Sequence, residues 1–247
     1  MVELSVLNLS KENFLDFIEQ YTREGDKCLD VGAGDGELVY LFQGRGKDII
    51  GIDVEFKGDR DFTKRLISDG KLLKIEVKSR FEQNKNLLWP IGDAEVDLVF
   101  SRAVLEHVPF LQRFAEENYR VLSSKGRAIH YFPSKFALRE PHIGVPFGAV
   151  FVKQWYFRLC DRLGLIDKKW RGRPNEAFSY MIKSTSYDQS EQAFNVFTRN
   201  GFTVFDITNQ FLANHPSSMV RFICVLPLAT SIFRMLRSRV LLLTKDG

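Results

Sequence analysis

The chain has few cysteines, and their placement excludes a disulfide framework. Only three occur among 247 residues, with no CxxC pair and no cluster of cysteine and histidine. We therefore predict neither a metal site nor a disulfide-built fold. This usage fits a reducing, cytoplasmic setting, and the first fourteen residues lack the basic start and continuous apolar core of a signal peptide.

Long hydrophobic runs are also missing. The longest apolar stretch, 222–233, has twelve residues and contains Pro227. A membrane-spanning helix needs about 20 such residues, so we predict that this stretch is a buried or surface-seeking helix.

The chain as a whole has no large excess of charge of either sign, because its net charge is only +4. This balance makes a nucleic-acid partner an unfavoured prediction. The segment 135–187, however, holds ten Lys or Arg against four Asp or Glu, together with ten aromatic residues. With the basic tail residues Arg221, Arg234, Arg237 and Arg239, the segment suggests an anionic acceptor or peripheral contact with the inner membrane surface. A solvated basic loop and aromatics that pack the segment onto a sheet are the simpler alternatives.

Short β-like runs alternate with helical stretches, which is typical of a parallel sheet with helices on both faces. The predicted strands are 27–31, 48–54, 72–77, 96–101, 127–132, 202–208 and 239–244. The predicted helices are 14–21, 37–43, 109–122, 147–159 and 188–199. We predict a Rossmann-like, doubly wound α/β fold whose sheet is mostly parallel with one antiparallel edge strand, with an insert after the fifth strand. The single domain, 1–247, would comprise a cofactor-binding core (25–134), an insert or lid (135–187) and C-terminal strands and helices (188–247).

A glycine-rich turn follows the first predicted strand and reads LDVGAGDGEL over 29–38. Glycines let backbone N–H groups approach a ligand where a Cβ would intrude. Asp53 ends the next predicted strand, 23 residues after Asp30, where an acidic group can accept hydrogen bonds from both ribose hydroxyls.

The glycine spacing distinguishes between two cofactors. A nicotinamide fingerprint needs GxGxxG, but Glu37 stands three residues after Gly34. A carboxylate near the helix start would repel a diphosphate. A cationic sulfonium with an amino-acid tail suits this acidic loop better.

Four stretches together resemble the class I S-adenosylmethionine-dependent methyltransferases, in the branch often called methyltransferase type 11. LDVGAGDG and GIDVE are similar to the first two motifs of that family, and DAEVDLVFSRAVLEHV (93–108) is similar to its fourth-strand motif. YRVLSSKGR (119–127) resembles the next signature, in which the turn is usually Pro-Gly-Gly. The resemblance covers roughly residues 25 to 135 and implies S-adenosylmethionine as the cofactor.

The resemblance also implies positions for the cofactor. The loop would hold the methionine part, Asp53 the ribose, and the end of the fourth strand would line the pocket. The implied cofactor-binding residues are Asp30, Gly32, Ala33, Gly34, Gly36, Asp53, Ser101 and Arg102. The acidic residue that commonly meets the adenine is not evident ahead of Trp89, and Glu76 and Glu82 both stay open.

Two histidines are candidate general bases for a hydroxyl acceptor, because the pKa of imidazole lies near neutrality. His107 follows the fourth predicted strand, at the carboxyl edge where ligands bind in such sheets. His142 lies in the insert, which could cover the active site. A structural role, as a helix cap or a hydrogen-bond partner, is the alternative for each. We expect His130 and His215 to be structural.

The absence of two known motifs narrows the range of possible methyl acceptors. The Asn/Asp-Pro-Pro-aromatic motif of many amine methyltransferases is absent after the fourth strand, and no Cys follows a Pro. We therefore predict methyl transfer to a small-molecule, sugar or lipid-like acceptor, with O-methylation favoured over C- or N-methylation. The alternatives are a methyltransferase fold that binds without catalysis, and an RNA methyltransferase, which the basic aromatic insert permits but the modest net charge disfavours.

Overall fold

The computed structural model describes residues 10–56, 58–76, 87–223, 231–232, 235–236 and 238–245. The strands are β1 (Lys27–Val31), β2 (Asp48–Asp53), β3 (Leu72–Lys74), β4 (Val96–Arg102), β5 (Leu122–Pro133), β6 (Phe202–Asp206) and β7 (Ser238–Lys245). The helices are α1 (Lys11–Glu19), α2 (Glu37–Gly44), α3 (Asp61–Ser68), α4 (Leu111–Val121), α5 (Gln154–Arg162), α6 (Pro174–Ser184), α7 (Tyr187–Ser190), α8 (Ala193–Arg199), α9 (Thr208–Ala213) and α10 (Ser218–Ile223).

The seven strands form one sheet in the order β3-β2-β1-β4-β5-β7-β6. Strands β1 to β5 pair in parallel, and β7 pairs antiparallel with both β5 and β6. The predicted Rossmann-like α/β fold with one antiparallel strand is confirmed. That strand lies one position in from the edge, because β7 is hydrogen-bonded on both sides and β6 forms the edge.

Several predicted boundaries were wrong. The fifth strand begins five residues earlier than predicted, at Leu122, because the SSKG turn continues the strand. The predicted helix 188–199 is two helices, α7 and α8. The predicted helix 147–159 begins only at Gln154, since Phe147 adopts a positive φ of 46° that a helix does not permit.

Alternating residues of the central strands pack into two separate cores, one on each face of the sheet. Leu98 and Phe100 of β4 pack with α1 and α2, whereas Val99 packs with α4 and α8. A third core is built within the insert around Phe157, Ile166 and other apolar side chains of 143–187. Residues 135–187 contribute no strand to the sheet, so the insert is a separately packed layer.

No helix in the described part of the chain is long and apolar enough to cross a membrane. The predicted apolar helix 222–233 lies mostly outside the described residues, as do Arg234 and Arg237 of the basic tail.

Candidate functional site

The glycine loop between β1 and α2 uses its backbone donors inside the protein. The N–H groups of Gly32 and Ala33 both donate to the carbonyl of Ile52, at 2.8 and 3.1 Å. The N–H of Gly34 donates to Asp53 Oδ2 at 2.7 Å. These three N–H groups are therefore not directed at a ligand, contrary to the sequence-based expectation. A loop whose donors are used this way presents acceptors, which suit a cation better than a diphosphate.

Two glycines of the loop are required for different reasons. Gly32 has φ +78°, and a Cβ there would lie 2.3 Å from Cγ2 of Val104, which follows β4. Gly34 has φ +59°, and a Cβ there would meet nothing within 4 Å. Gly32 thus lets the loop pack against the end of β4, whereas Gly34 borders open space where a ligand can approach. Gly36 begins α2 in the left-handed conformation.

Asp30 is a buried carboxylate at the second-to-last residue of β1, just before the loop, and its Oδ2 has no hydrogen-bond partner among the described residues. Burial raises the pKa of Asp30 to about 7, and the negative charge of Asp53 adds to the effect. The positive charges of Lys11 and Arg102 act in the opposite direction. A buried acceptor without a partner is a suitable contact for a cationic ligand.

Glu37, at the start of α2, is neutralised by two cations. It pairs with Lys11 at 2.7 Å and with Arg60 at 3.2 Å, and the hydrogen bond from Lys11 contributes most to lowering the pKa of Glu37. The sequence argument that Glu37 repels a diphosphate is therefore weakened. The satisfied N–H groups of the loop provide the structural reason against a diphosphate instead.

Ser101 and Arg102, the two residues at the end of β4 that were predicted to line the cofactor pocket, make other contacts in the structure. Ser101 is fully buried, and its hydroxyl pairs with Nδ1 of His130 at 2.8 Å. Burial lowers the pKa of His130 to about 3, so this histidine is neutral and lies stacked on Phe197. Ser101 therefore belongs to the interior rather than to the pocket wall. The guanidinium of Arg102 lies over the ring of Phe14, 5.8 Å from its centroid.

Ala103, which follows β4, has an unusual backbone conformation that sequence reasoning missed. It is exposed and adopts φ +58°, which is unusual for a residue with a side chain. Its N–H donates to the carbonyl of Tyr131 at 2.8 Å, which holds this left-handed turn in place. The turn directs the chain from β4 to Val104 and the glycine loop, and no sequence signal marks it.

The two candidate histidines lie together although they are 35 residues apart. Nε2 of His107 is 3.0 Å from Nε2 of His142. Glu106, which is 0% exposed, places its Oε1 4.0 Å from each of these nitrogens. Burial raises the pKa of Glu106 to about 8. Sequence reasoning missed Glu106, although its position beside His107 could have suggested it.

Neighbouring residues orient the two imidazole rings. Nδ1 of His107 lies 2.6 Å from the carbonyl oxygen of Ser184, and Nδ1 of His142 lies 2.6 Å from Oε1 of Glu140. Burial lowers the pKa of His142, but the hydrogen bond and charge of Glu140 outweigh burial, so the pKa is raised. The hydroxyl of Tyr187 also donates to Glu140, at 2.7 Å. The insert and the end of β4 thus form one polar cluster.

The adenine contact stays a prediction with two candidates. Glu76 is exposed beyond β3, and Glu82 lies outside the described residues. The nearby Trp89 is buried, and its N–H donates to Glu117 of α4 at 2.6 Å. Arg120, from the YRVL motif, binds the same carboxylate with two nitrogens at 2.7 and 2.9 Å. Arg120 of the YRVL motif therefore stabilises the fold by holding the segment around Trp89 against α4.

Comparisons with known proteins agree with this geometry. Residues 29–130 match the family model described as "Methyltransferase domain". An uncharacterized methyltransferase of Mycobacteroides abscessus is 27% identical over 137 residues, which is 54% of this chain and 51% of that protein. The chain thus spans about half the length of this curated relative.

Solved structures share the fold. A methyltransferase of Mesorhizobium loti superposes with a TM-score of 0.54 at 13% identity, covering 95% of this chain and all of that one. A phosphoethanolamine N-methyltransferase of Haemonchus contortus, in complex with phosphomonomethylethanolamine and S-adenosylhomocysteine, gives 0.52 at 14% identity and covers 94% and 51% of the two chains. At this identity the likeness concerns the fold alone.

The fold and the glycine loop define a Rossmann-like methyltransferase domain. The match over residues 29–130 supports a methyltransferase domain of the class I S-adenosylmethionine-dependent kind, in the type 11 branch. The unpartnered oxygen of Asp30 and the open side of Gly34 fit S-adenosylmethionine, the cationic cofactor that this family uses.

Proposed function

We propose that this protein transfers the methyl group of S-adenosylmethionine to a hydroxyl of a small-molecule, sugar or lipid-like acceptor. The observation that carries the proposal is the position of the His107–His142 pair beside the glycine loop. Val104 packs against Gly32, and the N–H of His107 donates to the carbonyl of Val104 at 2.8 Å within one tight turn. An acceptor held at the two histidines is thus placed next to the cofactor.

The reaction would be an in-line displacement. The acceptor oxygen attacks the methyl carbon, the carbon–sulfur bond breaks, and its electron pair returns to sulfur as the sulfonium charge is lost. The hydroxyl proton leaves through the polar cluster of His107 and His142. Orientation and exclusion of water contribute much of the rate enhancement in such a reaction.

The proposed cofactor contacts follow from the acceptors of the loop. The unpartnered oxygen of Asp30 would face the positive charge of the methionine part, and Gly34 would border it. Asp53 accepts the N–H of Gly34 through Oδ2 and the N–H of Glu55 through Oδ1. Its remaining lone pairs would accept the ribose hydroxyls.

Calorimetric titration with S-adenosylmethionine tests the cofactor site. We expect saturable binding by the wild type and binding at least about tenfold weaker in Asp53→Ala, because the variant loses two charge-assisted ribose contacts. Asp59→Ala is the matched control, since Asp59 is almost fully exposed and should leave the affinity unchanged. An absence of binding in the wild type would place the protein among methyltransferase folds without catalysis.

A second observation favours an acceptor located at a membrane surface. Three large apolar side chains recur every four residues along α5 and its C-cap, which puts them on one stripe, and all are exposed: Trp155, Leu159 and Leu163. Phe151, also exposed, precedes the helix. Trp155 alone is 65% exposed. Exposed basic residues adjoin the stripe in sequence, namely Arg158, Arg162, Lys168, Lys169, Arg171 and Arg173. We propose that this face rests on an anionic lipid surface, because the insert carries an excess of six positive charges.

Co-sedimentation with lipid vesicles tests this contact. We expect binding to vesicles that contain phosphatidylglycerol, weaker binding to pure phosphatidylcholine, and release by salt. The double variant Trp155→Ser/Leu163→Ser should bind at least about tenfold less, since burial of one such side chain contributes roughly 1.5–3 kcal/mol. Phe205→Ser on β6, which is also exposed, is the matched control. Equal binding by both variants would exclude the stripe as the contact.

A further inference from the structure

Three electron-donating atoms converge at the junction of β4 and the insert. They are Nε2 of His107, Nε2 of His142 and Oε1 of Glu106, separated by 3.0, 4.0 and 4.0 Å. The circle through the corners of such a triangle has a radius of about 2.2 Å, so one point lies about 2.2 Å from all three atoms. Bonds from Zn²⁺ to imidazole nitrogen and carboxylate oxygen are about 2.0–2.2 Å.

The hydrogen bonds of the two rings determine which nitrogen of each ring can carry the lone pair. A carbonyl and a carboxylate can only accept hydrogen bonds, so Nδ1 of His107 donates to Ser184 and Nδ1 of His142 donates to Glu140. In a neutral imidazole the other nitrogen, Nε2, then carries the lone pair. Two acceptor nitrogens 3.0 Å apart repel unless a proton or a metal ion lies between them, and the metal ion is the alternative that also engages Glu106.

Glu106 gives independent support for a bound cation. Its side chain is 0% exposed, and neither carboxylate oxygen has a hydrogen-bond partner from another described residue. A buried carboxylate without partners is costly, and coordination of a metal ion is one of the few ways to compensate it. The three residues also lie within the reach of a single ion.

We propose that Glu106, His107 and His142 bind a divalent transition-metal ion of the Zn²⁺ type. Two imidazoles and one carboxylate favour such an ion over Mg²⁺ or Ca²⁺, which prefer all-oxygen ligands. Glu140 and the Ser184 carbonyl hold the rings from behind, as outer-shell partners do in metal sites. The sequence did not indicate the site, because its ligands come from two segments and lack any common ligand spacing.

The ion deepens the proposed function, on which this part of the inference rests. Three protein ligands leave a coordination position open, and the side chains of His107 and His142 are partly exposed. The acceptor's hydroxyl oxygen would take that position. With His107 and His142 holding the ion, the ion would take over their proposed role as bases: it would lower the pKa of the bound hydroxyl, whose proton would pass to solvent before the oxygen attacks the methyl carbon.

Titration of the metal-stripped, untagged full chain with Co²⁺ tests the site, because Co²⁺ substitutes for Zn²⁺ and absorbs visible light according to its ligands. We expect one Co²⁺ per chain with an absorption band, and a rise in the melting temperature, because the ion joins the insert to β4. His142→Ala and Glu106→Gln should remove the band. Glu140→Gln should weaken binding by about 10–100-fold. Glu176→Gln, at an exposed carboxylate of α6, is the control and should bind as the wild type does.

The outcomes separate this site from the cofactor site. Wild-type protein that binds S-adenosylmethionine but no Co²⁺ would overturn the metal site and leave the methyltransferase proposal standing. Co²⁺ bound equally by His142→Ala would identify an adventitious ion only. Co²⁺ bound by a protein that does not bind S-adenosylmethionine would support the metal site and contradict the proposed function.

Discussion

Single buried charges distinguish the site from the rest of the described structure. Asp30 and Glu106 are buried carboxylates with unpartnered oxygens, and burial raises the pKa of each. They lie on either side of the contact between Gly32 and Val104. Burial of a carboxylate without a partner destabilises a fold, so its presence at two positions, each two residues along the chain from this contact, points to binding rather than stability.

The titration of Asp30 gives a test at this scale. Its folded-state pKa of about 7 lies above the ordinary aspartate value of about 3.8, so the folded state holds the proton more tightly. The free energy of unfolding should therefore fall as the pH rises from about 4 to 7, by on the order of 4 kcal/mol in full. Asp30→Asn should remove this part of the slope in urea unfolding at several pH values. Asp53, Lys11 and Arg102, which face Asp30, are common to both proteins.

The same residue should link cofactor binding to pH. A cationic ligand favours the ionised carboxylate, so S-adenosylmethionine should release about one proton when it binds at pH 6. Calorimetry in two buffers of different ionisation enthalpy measures that proton. Equal proton release by Asp30→Asn would show that another group is responsible.

At the scale of elements, the ends of β1, β2 and β4 meet the loop and the insert at one edge of the sheet. The carboxyl ends of parallel strands share an edge, and Asp30, Asp53 and His107 lie at or just beyond the ends of these strands, where the sequence predicted them. The direction of individual side chains was less predictable. Ser101 turns inward to His130, because the pleat of β4 puts this residue on the buried side.

Helix α4 holds the preceding segment through Arg120, which provides a test at this scale. Besides Glu117, its guanidinium binds Asp93 at 2.7 Å and the carbonyl of Trp89 at 3.1 Å. Arg120→Met should destabilise the fold by roughly 3 kcal/mol in urea unfolding, because the buried carboxylate of Glu117 loses its only cation and keeps just the N–H of Trp89 among its described partners.

The same helix offers a matched control. Arg113 and Glu116 form an i,i+3 ion pair whose side chains are more exposed, so Arg113→Met should cost less than about 1 kcal/mol. Adding Glu117→Gln to Arg120→Met should recover part of the loss. If Arg113→Met and Arg120→Met lower the free energy of unfolding by the same amount, the interactions of Arg120 are not those of a buried ion pair.

At the scale of the whole molecule, the described residues form three hydrophobic cores that support different parts of the site. Two cores flank the sheet and support the strand ends, and the third belongs to the insert. The insert carries His142 on one side and the apolar stripe of α5 as an exposed surface. Its separate core explains how it can present both without disturbing the sheet.

The amino-acid sequence was sufficient for the sheet, the glycine loop and the cofactor class, because these depend on local patterns of glycine, alternation and helical spacing. From the sequence, His107 and His142 were predicted as two separate candidate bases, and no metal site was predicted. Their convergence with Glu106 depends on how the insert folds back over β4, through contacts between residues about 35 to 80 positions apart. No local pattern encodes such a contact, because it arises from packing of the third core against the end of the sheet.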